Sequence, residues 1–179
     1  MSQNANSCFL GLGSNLNNPT KQLKVAIKHI NNLTNTRIIK LAPWYQSKAW
    51  GVTEQHDFVN TVIEIQTKLT PLALLKAIKN IEYRLMHRQS NKKWHARVID
   101  IDILLFGNQK INRKQLTIPH PWIADRPFVW IPLFKLTTHL PLSLRKKLSI
   151  GHKNHKDESC WQVFQPRIDR VLAVYRAKK

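Results

Sequence analysis

Residues 97–107 read Arg-Val-Ile-Asp-Ile-Asp-Ile-Leu-Leu-Phe-Gly, and how this stretch is read decides the fold. It is rich in branched aliphatics and stops at Gly107-Asn108, so it reads as a buried strand closed by a turn. Side chains alternate across a strand, which puts Asp100 and Asp102 on one face and Ile99, Ile101 and Ile103 on the other. The two carboxylates then lie about 7 Å apart, two strand rises. Like charges at that spacing repel unless a cation sits between them. The ligand set is oxygen-only, with no Cys or His on the strand, which points to a hard cation such as Mg²⁺ carrying phosphate and away from zinc. An edge strand with a solvated polar face is the alternative, and the apolar neighbours speak against it.

Working outward, the 179 residues suit one domain, which buries roughly 70% of its unfolded surface. No run of about 18 apolar residues occurs, and residues 1–7 are polar, so neither a membrane span nor a signal peptide is expected and the cytoplasm is the expected location. Cys8 and Cys160 lack metal-ligand spacing and read as free thiols. Net charge is +19, from 29 basic and 10 acidic residues, which suits a polyanion such as nucleotide phosphate or nucleic acid. Residues 145–179 hold ten Lys and Arg against three Asp and Glu, a surplus of seven, and the other twelve charges are spread over the rest.

In chain order, residues 8–12 form a short strand, and Gly11-Leu12-Gly13-Ser14-Asn15 reads as a tight turn out of it rather than a phosphate loop, because its spacing fits no phosphate fingerprint. Pro19 starts a helix with Leu23, Val25, Ala26, Ile27 and Ile30 as its apolar residues. Residues 37–45 make a second strand, ended or bulged at Pro43, and residues 46–57 a long polar loop. Residues 58–66 alternate as a third strand. Thr70-Pro71 caps a helix whose stripe, Leu72, Leu75, Ile78, Ile81 and Leu85, has Glu82 on or beside it, an acid that must be paired or functional. A basic loop, 87–96, leads into the aspartate strand, where cations make sense if a polyphosphate lies between them and the acids. Residues 109–116 look like a hairpin return, 117–121 are held extended by prolines, and 125–136 form a helix. Beyond Leu140 periodicity is lost until 167–175, a strand or short helix.

The order strand, helix, strand, strand, helix, strand predicts an α+β chain of the ferredoxin-like, split βαβ kind, an antiparallel sheet with helices packed on it. Residues 1–140 are expected to be the catalytic domain and 141–179 a basic extension packed on it. Gly-Leu-Gly-Ser-Asn-Leu at 11–16, Gln-His-Asp-Phe-Val-Asn at 55–60, the strand 97–107 and Leu-Thr-Ile-Pro-His-Pro at 116–121 closely resemble, in order and spacing, the 6-hydroxymethyl-7,8-dihydropterin pyrophosphokinases of folate biosynthesis. The resemblance runs from about Phe9 to Leu136.

That resemblance implies transfer of the terminal diphosphate of ATP to the pterin hydroxymethyl group, releasing AMP. It makes Asp100 and Asp102 the ligands of two Mg²⁺ ions and, with Arg97, the catalytic set. On the pterin side it places Ser47, Ala49, Trp50, Asn60 and Trp94, with Phe58 and Phe128 stacking on the flat ring. On the ATP side it places Glu82, Lys93, Arg97, Thr117, His120 and Arg126. Residues 47–51 and 87–96 resemble the family's flexible loops. The partners implied are these small molecules, with no membrane or specific nucleic acid, acting on a monomer.

The sequence departs from the family pattern before the aspartate strand. There the family usually reads Arg-Trp-Gly-Pro-Arg, whereas this chain has Lys93-Trp94-His95-Ala96-Arg97, and two usual arginine positions hold His87 and Gln89, with Arg84 and Arg88 nearby. A lysine lacks the bidentate fork of arginine, so a weaker phosphate grip is expected. The altered loop and basic tail leave a non-catalytic relative that binds pterin or nucleic acid as the alternative. An RNA-binding ferredoxin-like module fits less well, since its aromatic signature is missing.

Overall fold

The aspartate stretch is a strand, β5 (Asp100–Phe106), and it lies against β1 (Asn6–Ser14) in antiparallel register. The computed structural model describes residues 4–49, 54–88, 95–137, 139–151 and 160–173. The other edge of β1 pairs along its whole length with β4 (Phe58–Thr67). The far edge of β4 is shared by β2 (Thr36–Leu41), on its C-terminal half, and β3 (Trp44–Ser47), on its N-terminal end. The break between them falls at Ala42-Pro43, where proline offers no N–H to a ladder. The Ala42 amide still donates to the Val62 carbonyl (2.9 Å), and the Thr61 hydroxyl donates to the Ala42 carbonyl (3.1 Å), so the interruption leaves those groups satisfied. The sheet order is β5-β1-β4, then β2 and β3 side by side in sequence along β4. This is the expected α+β arrangement.

Two helices cover one face. Helix α1 (Pro19–Asn31) begins with the Asn18 side chain accepting from the Lys21 amide, and α2 (Pro71–Asn80) with the Thr70 hydroxyl accepting from the Ala73 amide. Each cap satisfies an N–H that the helix itself cannot. They bury Leu23, Ile27, Ile30, Leu74 and Ile78 against Leu10, Leu12, Ile63, Ile65, Ile101 and Ile103. On the opposite face α3 (Pro127–Leu136) packs Trp130, Leu133 and Leu136 against Phe9, Val62 and Leu104. Asp100 and Asp102 emerge on this second face, beside α3.

Three sequence expectations change. Gly11 and Gly13 are in no turn: β1 continues through Ser14, and the chain reverses afterwards at Asn17 and Asn18, with φ of 51° and 62°. Asparagine tolerates that left-handed region, so no glycine is needed. The loop expected from residue 46 starts later, because β3 runs to Ser47. The hairpin β6 (Ile111–Arg113) and β7 (Leu116–Ile118) forms a small sheet of its own.

Three further elements follow among the described residues where the sequence shows little periodicity. After α4 (Leu142–Gly151), β8 (Cys160–Phe164) extends the main sheet by pairing with β3, and α5 (Ile168–Ala173) lies against α1 with Val171 in the core. Only Cys160 of the five β8 residues is buried, so the strand has no alternation to detect. Phe164 meets Trp44 edge-on at 5.5 Å. Among the described residues no helix is long and apolar enough to cross a membrane.

Ile63 is fully buried on β4 between the helices and the sheet. Ile63→Ala is expected to lower unfolding stability by about 3 kcal/mol, read as an earlier urea midpoint with an unchanged slope.

Candidate active site

The second sheet face opens into a cavity beside the first turn of α3, where Phe128 and Val129 line it, and β1 contributes Gly11 and Gly13 to that lining. Gly13 lies between Asn60 on β4 and Asp100 on β5, and Gly11 between Val62 and Asp102. A Cβ on Gly13 would come within 2.8 Å of the Asn60 amide oxygen. Gly13 therefore serves close cross-strand approach, a use of the residue that sequence spacing cannot separate from a turn. The cavity is also lined by Ser47, Phe58, Asn60, Arg97, Asp100, Asp102, His120, Arg126 and Phe128. The Asn60 side-chain amide donates to the Ser47 hydroxyl (3.0 Å), and both residues are otherwise buried, which holds the Asn60 carbonyl toward the cavity side near Gly13.

The two acids are not equivalent. Asp100 has an arginine on each oxygen: Arg88 Nη1 at 2.7 Å from Oδ1 and Arg97 Nη1 at 2.8 Å from Oδ2. Burial alone would push this carboxyl up, but Arg97, Arg88 and Lys79 outweigh it and hold Asp100 below the usual carboxylate range. Among the described residues, the basic groups nearest Asp102 are farther off, His120 Nε2 at 3.9 Å and Arg126 Nη1 at 4.0 Å. Burial and the neighbouring Asp100 charge push it above its usual value. The two acids thus differ: Asp100 is held ionised by its two arginines, and Asp102 has less positive charge beside it, a contrast that occurs often at functional sites.

His120 is placed by its main chain, whose N–H donates to the Leu104 carbonyl (2.9 Å), and its Nδ1 accepts from the Trp122 N–H (3.3 Å). That bond leaves Nε2 as the nitrogen facing Asp102. Burial pulls the imidazole below its ordinary value against the opposing pull of Asp102. Arg126 stacks over Trp122 at 4.5 Å and lies 6.0 Å from the Phe128 ring.

Not every residue expected at the site reaches the cavity. Glu82 is fully buried behind β5 and offers no surface to a ligand. Its carboxylate accepts from the Ile101 N–H (2.7 Å), Lys79 Nζ (2.6 Å) and Arg88 Nη1 (2.9 Å). Thr117 is in the β6–β7 hairpin, opposite Asn112, and Ala49 follows β3, half-buried; neither lines the cavity. Trp50, Lys93 and Trp94 lie outside the described residues.

With this geometry in view, likeness to known proteins becomes decisive. The sequence profile of the 7,8-dihydro-6-hydroxymethylpterin-pyrophosphokinases matches residues 9–138. The chain belongs to this family. It is 42% identical to the 2-amino-4-hydroxy-6-hydroxymethyldihydropteridine pyrophosphokinase of Haemophilus influenzae over 136 residues, 76% of this chain and 84% of that one. With the enzyme of the same name from Pseudomonas aeruginosa it shares 38% identity over 75% of this chain and 82% of the other. Among solved structures, an HPPK-DHPS in complex with substrates superposes with a TM-score of 0.67 at 15% identity, covering 88% of this chain. This chain spans about half the length of that one, at 47%. A Plasmodium falciparum HPPK-DHPS is similar, at TM-score 0.65 and 17% identity over 92% of this chain and 49% of that one.

Two residues of this pyrophosphokinase-family chain matter to the site and were not singled out by sequence. Asn15 is buried at the end of β1, where its side chain accepts from the Arg97 N–H (2.8 Å) and donates to Gln55 and to the His56 carbonyl. It thereby ties the entry of the aspartate strand to the segment before β4. The only sequence signal is its place at the end of the Gly-Leu-Gly-Ser-Asn run. Arg88 is the other, and its signal is its place between His87 and Gln89, the two positions where family arginines are missing.

Removing Glu82 tests how much this buried network carries. Glu82→Ala leaves the buried Ile101 N–H without its acceptor and Arg88 with Asp100 as its remaining acid, and is expected to destabilise the fold by about 1–3 kcal/mol. Glu82→Gln, which keeps an acceptor for Ile101, should lose less in the same urea titration.

Proposed function

We propose that the chain is an ATP-dependent 2-amino-4-hydroxy-6-hydroxymethyldihydropteridine diphosphokinase. It transfers diphosphate from ATP to the hydroxymethyl group of 6-hydroxymethyl-7,8-dihydropterin in folate biosynthesis. The substrate oxygen forms a bond to the β-phosphorus, the bond from that phosphorus to the oxygen retained by AMP breaks, and the hydroxyl proton is released. Family membership supports the reaction class. The observation that carries the reading to this chain is the Asp100–Asp102 pair opening onto one cavity with Asn60, Phe58 and Phe128.

Roles follow from chemistry. Asn60, anchored by Ser47, offers an amide edge to match that of the pterin, and Phe58 and Phe128 offer flat apolar faces for its ring, a stacking worth about 1 kcal/mol beyond burial. Arg97, Arg126 and His120 stand beside the acids in the cavity wall and suit phosphate oxygens. A pair of Mg²⁺ ions fits this donor set: two side-by-side carboxylates, 28% and 36% exposed, with Asp102 short of positive charge. Among the described residues no third His, Cys, Asp or Glu joins them, so the remaining ligands would be phosphate oxygens and water, the habit of Mg²⁺ in nucleotide sites. When bound, the metal supplies charge neutralisation on the phosphates and holds them in line. We further read residues 141–179 as an extension of the one catalytic unit, and the enzyme as a cytoplasmic monomer working on freely diffusing substrates.

Incubation with ATP, Mg²⁺ and hydroxymethyldihydropterin should yield AMP, followed by chromatography, and binding of both ligands without AMP would reject the reading in favour of a non-catalytic relative. Asp102→Ala should lower kcat by several orders of magnitude with the fold intact by circular dichroism. Gly13→Ala, whose methyl group displaces the Asn60 amide, should weaken pterin binding about tenfold, equivalent to about 1.4 kcal/mol, with nucleotide affinity little changed in calorimetry.

A further inference from the structure

The two arginines on Asp100 hold different oxygens of it. Arg97 lines the cavity, where besides Asp100 its Nε donates to the His95 carbonyl (3.1 Å). A phosphate entering the cavity can draw this side chain away. Arg88 does not line that cavity. Its side chain is 8% exposed and is wedged between Asp100 and the fully buried Glu82, with Nη1 donating to both. The main chain repeats the link: the Arg88 N–H donates to the Glu82 carbonyl (2.9 Å). Directly before it, His87 takes a left-handed φ of 52°, a conformation that costs a residue with a Cβ and is kept only where surrounding contacts over-determine it. Glu82 is itself fixed to the sheet through the Ile101 N–H. Arg88 is therefore bound to β5 by contacts independent of any ligand.

We propose that Arg88 is a positioning residue for the metal site, pinning Oδ1 of Asp100 to the Glu82 anchor so that Oδ2, which Arg97 contacts, is the oxygen handed to a divalent cation. The inference rests on the kinase reading above. Its physical reason is that a carboxylate already fixed at one oxygen loses little orientational freedom on binding a cation at the other. Arg88 also screens Glu82 from Asp100, two acids that otherwise repel across the strand. Arg97, released from Oδ2, becomes available to the phosphates at the same moment.

The test is Mn²⁺ binding in the presence of a non-hydrolysable ATP analogue, read as the loss of the free-ion EPR signal. Arg88→Met should weaken Mn²⁺ binding about 10- to 100-fold, the usual effect of removing an outer partner of a metal ligand, with pterin affinity unchanged. In an Asp100→Asn background the same substitution should add nothing, since Arg88 acts through that carboxylate. Arg88→Lys, which keeps the charge, should fall between and carries the same cycle if the Met variant does not fold in a urea titration. Equal Mn²⁺ affinity in wild type and Arg88→Met, or an equal loss in both backgrounds, overturns the role of Arg88 while leaving AMP formation by the wild type, and so the kinase reading, in place. A wild type that takes up no Mn²⁺ with the analogue overturns both.

Discussion

Two carboxylates two residues apart on one face of an apolar strand cannot both stay charged in a partly desolvated site without cations beside them. The surroundings of β5 answer this constraint. Arg88 and Arg97 stand at either end of the segment that precedes the strand, and both close onto Asp100. His120 and Arg126, which come from beyond β7, approach Asp102 but stop about 4 Å away. The result is an uneven balance, with Asp100 saturated and Asp102 in need of another positive charge. A hard cation carrying phosphate, as proposed above, would answer that imbalance.

The space for such a ligand is a packing consequence of the sheet. On the α1–α2 face, β1, β4 and β5 present aliphatics that fill the layer completely. On the other face α3 covers only part of the strands, and beside its first turn β1 presents Gly11 and Gly13. A Cβ at Gly13 would run into the Asn60 amide oxygen, and one at Gly11 would touch the Leu104 side chain. The same alternation that sends Ile101 and Ile103 into the core sends Asp100 and Asp102 into the cavity, so core and site are two sides of one strand. Glu82 joins them: buried on the helix side, it orients Arg88, which orients Asp100.

Much of this was legible in the chain. The period-two pattern at 97–107 set the two acids on a common face, and the capping residues Thr70-Pro71 marked the start of α2, because these depend on near neighbours alone. The Gly-Leu-Gly-Ser-Asn run shows where local reading stops. Glycine permits a tight turn and a close cross-strand approach equally well, and only the identity of the neighbouring strands, β4 and β5, decides between them. Strand β8 was hidden for a related reason: an edge strand with one buried residue in five carries no periodic signal, and its existence depends on finding the free edge of β3.

The sequence by itself determined the α+β order of elements, the family, and the pairing of two acids with an oxygen-only ligand set, since these are properties of spacing and residue type. Tertiary structure alone decided that Glu82 lies behind the site rather than in it, that Arg88 takes one oxygen of Asp100 and Arg97 the other, and that Asn15 joins two distant segments. The physical reason is distance along the chain: burial and ion pairing are set by whichever residues the sheet brings together, and Asn15 and Arg97 become neighbours only once β1 and β5 have paired.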